Sequence, residues 1–313
     1  MIVVLTGGTG SFGRGFAQLL LSQPGIEMIR VFSRDEHKQR EMRNQYGEKG
    51  ISYFLGDVRD IERLRRIMDG ATHVVHAAAL KQAPLGETEP EEFIKTNVQG
   101  STNVAEAAIA AGIKKCLLVS TDKAVEPINL YGATKMLAER VFLAKDKMRG
   151  TTQTRFACTR YGNVAGTAGS IIPLFRALPP GRPTPVTHKD ATRFWISLED
   201  ANQFVWWALN SMRGGEVFIP RLPSVRIMDV AKAIRPGEDI EIVGLRPGDK
   251  VHEVLNVEGE RYSSESNRSL TIPEIRTAVF GKDETSSQAV GERCVVAPDT
   301  ADAGRQPDPI QAA

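Results

Sequence analysis

The sequence predicts an α/β protein, a Rossmann-type doubly wound parallel sheet with a smaller C-terminal region, and three observations carry that expectation. Short apolar runs alternate with helix-period patterns as far as Arg160. The first run leads directly into a glycine-rich turn. After Gly162 the alternation gives way to Pro173, Pro179, Pro180, Pro183 and Pro185, which interrupt regular elements and predict long loops.

The elements follow in order. Ile2 to Thr6 predicts a strand and Ser11 to Ser22 a helix. Met28 to Ser33 reads as a second strand, followed by a charged helix from Asp35 to Tyr46. A strand from Ser52 to Leu55, a helix from Ile61 to Met68 and a strand from Thr72 to Ala77 continue the pattern. A long helix is expected within Pro90 to Ala111. Lys115 to Ser120, Leu130 to Asp146 and Thr154 to Arg160 give a fifth strand, a helix and a sixth strand. These strands are unbroken apolar runs because helices cover both faces of a parallel sheet. Further on, Leu198 to Asn210 predicts a helix and Glu216 to Ile219 a strand. The expected organisation is a dinucleotide-binding domain over residues 1–161 and a substrate-binding region interleaved with it over 162–261. A flexible tail is expected over 262–313, which is polar and, from Gly281 onward, poor in large apolar residues.

Composition narrows the function classes. Among 313 residues, 41% are apolar and 25% charged, the balance of a globular chain. The formal net charge is +2, and the basic run from Arg34 to Arg43 is interleaved with Asp35, Glu36 and Glu41. That pattern predicts a solvated helix face, so no nucleic-acid partner is expected. No apolar run approaches the roughly 18 to 20 residues that span a bilayer. The opening Met1-Ile2-Val3-Val4-Leu5 lacks the basic start and cleavage site of a signal peptide. A cytoplasmic protein without a membrane partner is expected. Cys116, Cys158 and Cys294 are far apart and form no CxxC pair, which predicts neither a metal site nor a disulfide framework.

Thr6-Gly7-Gly8-Thr9-Gly10-Ser11-Phe12-Gly13 follows the first predicted strand and opens a helix. Gly7 permits the tight turn, Gly10 lets the backbone approach a pyrophosphate, and Gly13 lets helix and strand pack closely. The helix N-terminus offers its free N–H groups to the phosphates. Thr9, Ser11 and Phe12 belong to the same cofactor-binding turn. The second strand ends in Ser33-Arg34-Asp35-Glu36-His37-Lys38. Arg34, with Ser33 and Lys38, suits a ribose 2′-phosphate and favours NADP over NAD; Asp35 is the residue that would instead favour NAD. After the third strand, Asp57 is placed either to accept from the adenine amino group or to cap the helix near Asp60, with Val58 beside it.

Tyr131 and Lys135 lie four residues apart on a predicted helix and share one face. Lys135 is expected to lower the pKa of the phenol and to reach the nicotinamide ribose, which suits Tyr131 to take a proton from a sugar hydroxyl. The fifth strand runs into Ser120-Thr121-Asp122, at the strand end that faces a cofactor crevice. His76 reads as a satisfied core histidine, and Trp206 and Trp207 as packing residues.

With these segments in view, the chain resembles an extended short-chain dehydrogenase/reductase. Within that superfamily it is similar to the UDP-N-acetylglucosamine 4,6-dehydratases, particularly the inverting kind. The resemblance rests on Thr6 to Gly13, Ser33 to Lys38, His76 to Lys81, Ser120 to Lys123, Asn129 to Lys135, Arg160 to Val164, Thr192 to Trp195 and Arg246 to Lys250, in order across about residues 1 to 255. It implies that Tyr131 takes the C4 hydroxyl proton while hydride leaves C4. Lys123 then removes the C5 proton, Asp122 protonates the departing C6 hydroxyl, and Thr121 hydrogen-bonds near O4. Lysine in place of the glutamate of the retaining enzymes implies inversion at C5. The resemblance also places Ala77, Lys81 and Ser120 at the cofactor, and Lys81, Asn163, Thr187, Arg193 and Arg246 at a UDP-sugar substrate. A homo-oligomer is implied. Two departures stand out: His188-Lys189-Asp190-Ala191 precedes Thr192 where the family often has a larger apolar residue, and Asp249 replaces the usual glutamate.

Two other readings use the same residues. A UDP-sugar 4-epimerase needs Tyr131 and Lys135 but no acid–base pair at C5 and C6. A non-catalytic dinucleotide-binding regulator needs neither.

Overall fold

A computed structural model describes residues 1–148, 150–167, 169–257, 260–281 and 294–297. Its N-terminal part alternates strand and helix: β1 Ile2–Thr6, α1 Ser11–Leu21, β2 Met28–Ser33, α2 Glu36–Tyr46, β3 Ile51–Leu55, α3 Ile61–Met68, β4 His73–His76, α4 Ala83–Thr88, α5 Pro90–Phe93, α6 Gly100–Ala110, β5 Lys115–Val119, α7 Leu130–Lys147 and β6 Arg155–Thr159. There follow β7 Asn163–Val164, α8 Ile171–Arg176, β8 Thr184–Val186, β9 Thr192–Ile196, α9 Leu198–Ser211, β10 Val217–Pro220, β11 Ser224–Arg226, α10 Ile227–Ile234, β12 Ile240–Ile242, β13 Val254–Val257, β14 Glu260–Ser263, α11 Ile272–Phe280 and β15 Cys294–Ala297.

The central sheet runs β3-β2-β1-β4-β5-β6-β10 with all neighbours parallel, and β15 closes the β10 edge antiparallel. This is the doubly wound α/β arrangement that the alternating pattern predicts. Val3, Val4, Leu5, Val74, Val75, Leu117 and Leu118 are fully buried in it. Each contributes about 1.5–3 kcal/mol of apolar burial, so the strand sequences leave little choice of register. Thr6 lies opposite both Phe32 and His76, and Val119 opposite Thr159. The C-terminal ends of these strands therefore line up along one edge of the sheet, where ligand crevices form.

The expected Pro90–Ala111 helix is not continuous in type. Between α5 and α6 the chain makes a π-helical turn, Ile94–Gln99. Asn97 in that turn accepts from the Leu80 amide at 2.8 Å, and donates to the Leu80 carbonyl at 2.9 Å and the Thr134 hydroxyl at 3.0 Å. The wide turn carries a buried amide into a place that regular α-helical spacing does not reach.

The later elements divide between two cores. β10 joins the central sheet, and α9 lies against α1, where Gly15 leaves room for Asn202. Trp207 packs edge-on against Phe218 at 5.4 Å. A second core gathers Ile172, Phe175, Val186, Trp195, Val225, Ile227, Val230 and Ile275. The proline-rich stretch, expected as loops, thus carries α8 within that core. The expected tail from residue 262 needs a larger correction. β14 pairs with β13, and α11 starts on a full capping box between Thr271 and Glu274 and buries Ile275 completely. The polar average of this stretch hides one apolar stripe, and Ile275 supplies its contact. Residues 282–293 and 298–313 lie outside the described residues. Among the described residues no helix is long and apolar enough to cross a membrane.

Candidate active site

The glycine turn sits where β1 meets α1. Gly7 has a φ of +68°, and a Cβ there would come 2.7 Å from the Ala78 amide nitrogen. The turn is thereby pressed against the Ala77-Ala78 segment after β4, which an L side chain would forbid. A Cβ on Gly13 would come 2.5 Å from the Gly8 backbone, so helix and turn touch there directly. Gly10 caps α1 without a side-chain hydrogen bond, and Thr9 is buried in the turn. The first-turn N–H groups of α1 are thus held over a tight backbone cradle that fits a pyrophosphate. Phe12, half-buried, stacks on Phe16 at 5.4 Å and anchors the far side of the turn. Ser11 opens the helix beside it.

At the end of β2 the residues separate by task. Asp35 caps α2: its carboxylate accepts from the Lys38 amide at 3.0 Å and pairs with the Lys38 ammonium at 2.8 Å. The Ser33 hydroxyl accepts from Gln39 at 3.0 Å. Arg34 projects outward, about half exposed, with Asp57 3.5 Å away. Asp57 does not cap α3, because Asp60 does so by accepting from Arg63 N. Burial works against charge on Asp57, but hydrogen bonds from Arg59 outweigh it and hold the carboxyl below its usual range. Val58 is buried against Gly100.

His76 is the core histidine that the sequence suggests. It bridges Thr6 and Ser101 at 2.6 and 3.0 Å, and burial holds its pKa down to about 3.

Across the crevice, β5 ends at Val119 and the chain turns through a short 3-10 segment, Asp122–Ala124. Thr121 caps that segment and donates to Asp122 at 3.0 Å. Asp122 is fully buried. One oxygen, Oδ1, accepts from Thr121 and from the Lys123 ammonium at 3.1 Å; the other, Oδ2, has no partner among the described residues. A buried carboxylate oxygen without a donor is costly, and a ligand hydroxyl is the kind of group that satisfies it. Lys123 also donates to Asn163 at 3.0 Å and lies 3.3 Å from Glu253. Burial raises the Asp122 carboxyl, Lys123 opposes that, and Glu253 adds to it. Burial disfavours the Lys123 ammonium, yet the Asp122 and Glu253 carboxylates together hold its pKa above the ordinary lysine value.

α7 carries Tyr131 and Lys135 to the same place. Asn129 caps it by accepting from Gly132 at 2.8 Å. A Cβ on Gly132 would fall 2.2 Å from the Lys123 carbonyl, so this glycine is what lets α7 start against the Asp122-Lys123 turn. The expectation that Lys135 lowers the phenol is corrected. Burial raises Tyr131 above its ordinary value, and the opposing groups are Lys123 and the Thr121 hydroxyl. Lys135 is buried, donates to the Val119 carbonyl at 2.9 Å, and is itself pushed down to about 8 by burial.

The residues expected at the substrate fare unevenly. Asn163 stands in the site on Lys123. The Arg193 guanidinium is turned into the protein, donating to the carbonyls of Thr192, Lys250 and Val251 at 2.7 to 3.0 Å. Arg246 is exposed and pairs with Asp249 at 2.8 Å. The Arg246–Lys250 segment instead docks on the start of α7 and the chain before it: Asn129 donates to the Gly248 carbonyl at 2.8 Å, and Lys250 to the Val125 carbonyl at 2.6 Å. Thr187 follows β8, half-buried, and Lys81 lies exposed in the loop after β4. Ser120 is buried at the end of β5, its hydroxyl without a partner among the described residues. Glu253 was not expected from the sequence. Among the described residues no cluster of three His, Cys, Asp or Glu is arranged to hold a metal.

A phosphate cradle after β1, facing a Tyr-Lys helix after β5 in this strand order, defines the extended short-chain dehydrogenases/reductases. The chain belongs to the family described as polysaccharide biosynthesis protein, whose model matches residues 3–274. It is similar to two UDP-N-acetylglucosamine 4,6-dehydratases (inverting) of Campylobacter jejuni subsp. jejuni. One, from serotype O:2, is 46% identical over 81% of this chain and 76% of the relative. The other, from serotype O:23/36, is 42% identical over 93% and 88%. A UDP-glucose 4-epimerase of Rickettsia canadensis is 40% identical over 81% and 76%. Among solved structures, Pen from Bacillus thuringiensis superposes with a TM-score of 0.84 at 30% identity, covering 90% of this chain and 98% of that one. The dTDP-glucose 4,6-dehydratase DesIV from Streptomyces venezuelae, solved with NAD and TYD, gives 0.77 at 22% identity, covering 89% and 96%, and shares the fold.

Proposed function

We propose that the chain is a C5-inverting UDP-N-acetylglucosamine 4,6-dehydratase that uses NADP. The observation that carries this reading is the contact between Asp122 and Lys123 at 3.1 Å, a buried acid and a lysine side by side next to Tyr131. A 4-epimerase has no use for such a pair.

A bound nicotinamide dinucleotide supplies a hydride acceptor and donor. The rest is done by the protein. Tyr131 accepts the C4 hydroxyl proton, and Lys135 stands one helical turn along the same face. The new 4-keto group acidifies the C5 proton. In the resting pair Lys123 carries the proton and Asp122 the negative charge. Passing one proton across their hydrogen bond leaves Lys123 neutral and Asp122 protonated. Lys123 then takes the C5 proton, Asp122 gives its proton to the C6 hydroxyl, and water leaves. The pair ends as it began, so protons balance. Reprotonation of C5 on the face opposite Lys123, with the proton that Tyr131 took from the C4 hydroxyl, gives inversion and returns every group to its starting state.

Incubation with UDP-GlcNAc tests this directly. Mass spectrometry is expected to show a product lighter by one water, and in D2O proton NMR is expected to show deuterium at an inverted C5. A product of unchanged mass with an inverted C4 would make the chain an epimerase.

NADP is favoured because the Asp35 carboxylate is engaged at the α2 N-terminus while Arg34 projects outward. Charge-assisted hydrogen bonds to a 2′-phosphate are worth about 1.5–3 kcal/mol. Arg34→Ala is therefore expected to weaken NADPH binding roughly 10- to 100-fold and leave NADH nearly unchanged in a fluorescence titration. Equal losses for both cofactors would refute the assignment.

A further inference from the structure

Glu253 stands just before β13 with its side chain only 3% exposed, a carboxylate inside the protein. Three cations surround it: Lys123 at 3.3 Å, and Arg193 and Lys250 at 3.8 Å. Two of them are committed elsewhere, since Arg193 donates to three backbone carbonyls and Lys250 to the Val125 carbonyl. The remaining short contact is Lys123. The Lys123 ammonium has three N–H donors and three acceptors within 3.3 Å: Asp122, Asn163 and Glu253. Glu253 Oε2 has no hydrogen-bond partner among the described residues, so the carboxylate is not explained as a satisfied structural bridge.

From this geometry we infer that Glu253 is a positioning residue for the dehydration step, acting through Lys123. With Asn163 it holds two of the three N–H bonds of Lys123. The proton free to move is then the one directed at Asp122. When it moves, the amine lone pair is left pointing to the Asp122 side, where the C5 proton must be presented. Glu253 also balances charge. When the proton passes to Asp122 and both members of the pair are neutral, Glu253 remains the counter-ion of Arg193 and Lys250 in a buried site.

The pair is active when it holds one proton. Its acid bound is set by Asp122 and its alkaline bound by Lys123, as a coupled titration of both. The Glu253 charge raises both bounds. The other charged or titratable groups facing the pair are Tyr131, Arg193 and Lys250. Tyr131 is raised by Glu253 as well, so the sign is common to all three titrating groups. Neutralising Glu253 is expected to move the whole bell of turnover against pH toward lower pH.

This inference rests on the dehydratase reading, and the test separates the two. The full chain, its Glu253→Gln and its Glu253→Asp variants are assayed with UDP-GlcNAc across pH. Absorbance at 340 nm follows reduced cofactor, and mass spectrometry follows water loss. Glu253→Gln keeps the shape and an oxygen acceptor for Lys123 but removes the charge. Its dehydration is expected to fall roughly 10- to 100-fold, less than the roughly 10²- to 10⁴-fold loss expected on removing an acid–base group outright. Reduced cofactor is expected to build up, because C4 oxidation does not use Lys123, and the bell is expected to shift to lower pH. Glu253→Asp, which keeps the charge, is expected to keep the wild-type pH bounds at reduced turnover. A Gln variant with a wild-type bell and turnover within about twofold overturns the inference while leaving a dehydrating wild type as the dehydratase. So does an Asp variant whose bell shifts as far as that of the Gln variant. Should Glu253→Gln fail to fold, the Asp variant alone decides: an unshifted bell supports the inference and a shifted one overturns it. A wild type that removes no water overturns both readings.

Discussion

Lys123→Met stops dehydration but not oxidation. Turnover to the product lighter by one water is expected to fall by a factor of roughly 10²–10⁴, the usual worth of a positioned acid–base group. Absorbance at 340 nm is expected to rise on mixing with UDP-GlcNAc and stay high, because the 4-keto sugar forms and goes no further. Stability gives a second, independent readout. Methionine fills much of the same space but leaves Asp122 and Glu253 facing each other, both buried, without their shared cation. Breaking a buried pair from one side costs about 3–5 kcal/mol. The sign with pH follows from the Asp122 carboxyl, which burial already raises and which loses its opposing cation. In the variant, folding favours protonated Asp122, so its folded value lies above the unfolded one near 4. The stability it contributes is present below that value and lost as pH rises through the folded value. The melting temperature of Lys123→Met is expected to approach that of the wild type as pH is lowered toward 4 and to fall behind it as pH rises. A constant difference across pH would refute the buried charge pair.

Tyr131→Phe has the opposite optical signature. The ring remains and the packing changes little, but the proton acceptor for the C4 hydroxyl is gone. Product formation is expected to drop roughly 10²- to 10⁴-fold, and the 340 nm transient is expected to disappear with it. The two variants thus fail before and after the same intermediate. If Tyr131→Phe still reduced the cofactor, another group would have to receive the C4 proton.

Much of this site could be read from the chain because its parts are local. A glycine turn after an apolar strand, a Tyr-Lys pair four residues apart and an Asp-Lys dipeptide at a strand end all place chemistry by short-range spacing. What could not be read is direction and distant pairing. The sequence gives Arg193 as an arginine near the substrate region; only the fold shows its guanidinium spent on the Thr192, Lys250 and Val251 carbonyls. Arg160 and Glu139 form a buried ion pair from different elements, with no spacing rule to join them. Glu253 had a usable signal. A carboxylate within Val251-His252-Glu253-Val254-Leu255 has apolar neighbours on both sides, and a buried acid needs a cation. α11 had one too, in Thr271-Ile272-Pro273-Glu274, but a polar average over the whole tail concealed it.

The π turn at Ile94–Gln99 sets a constraint on chain length. Through Asn97 it ties Leu80, next to Lys81, to Thr134, which lies between Tyr131 and Lys135. Deleting one residue there would restore ordinary α-helical spacing and swing the residues on one side by about 100° about the helix axis. The Asn97 amide would then face away from both partners, although no residue that touches a reacting atom had changed. Substitutions at the exposed residues of this helix are therefore expected to spare the Asn97 contacts, and a one-residue insertion or deletion to break them.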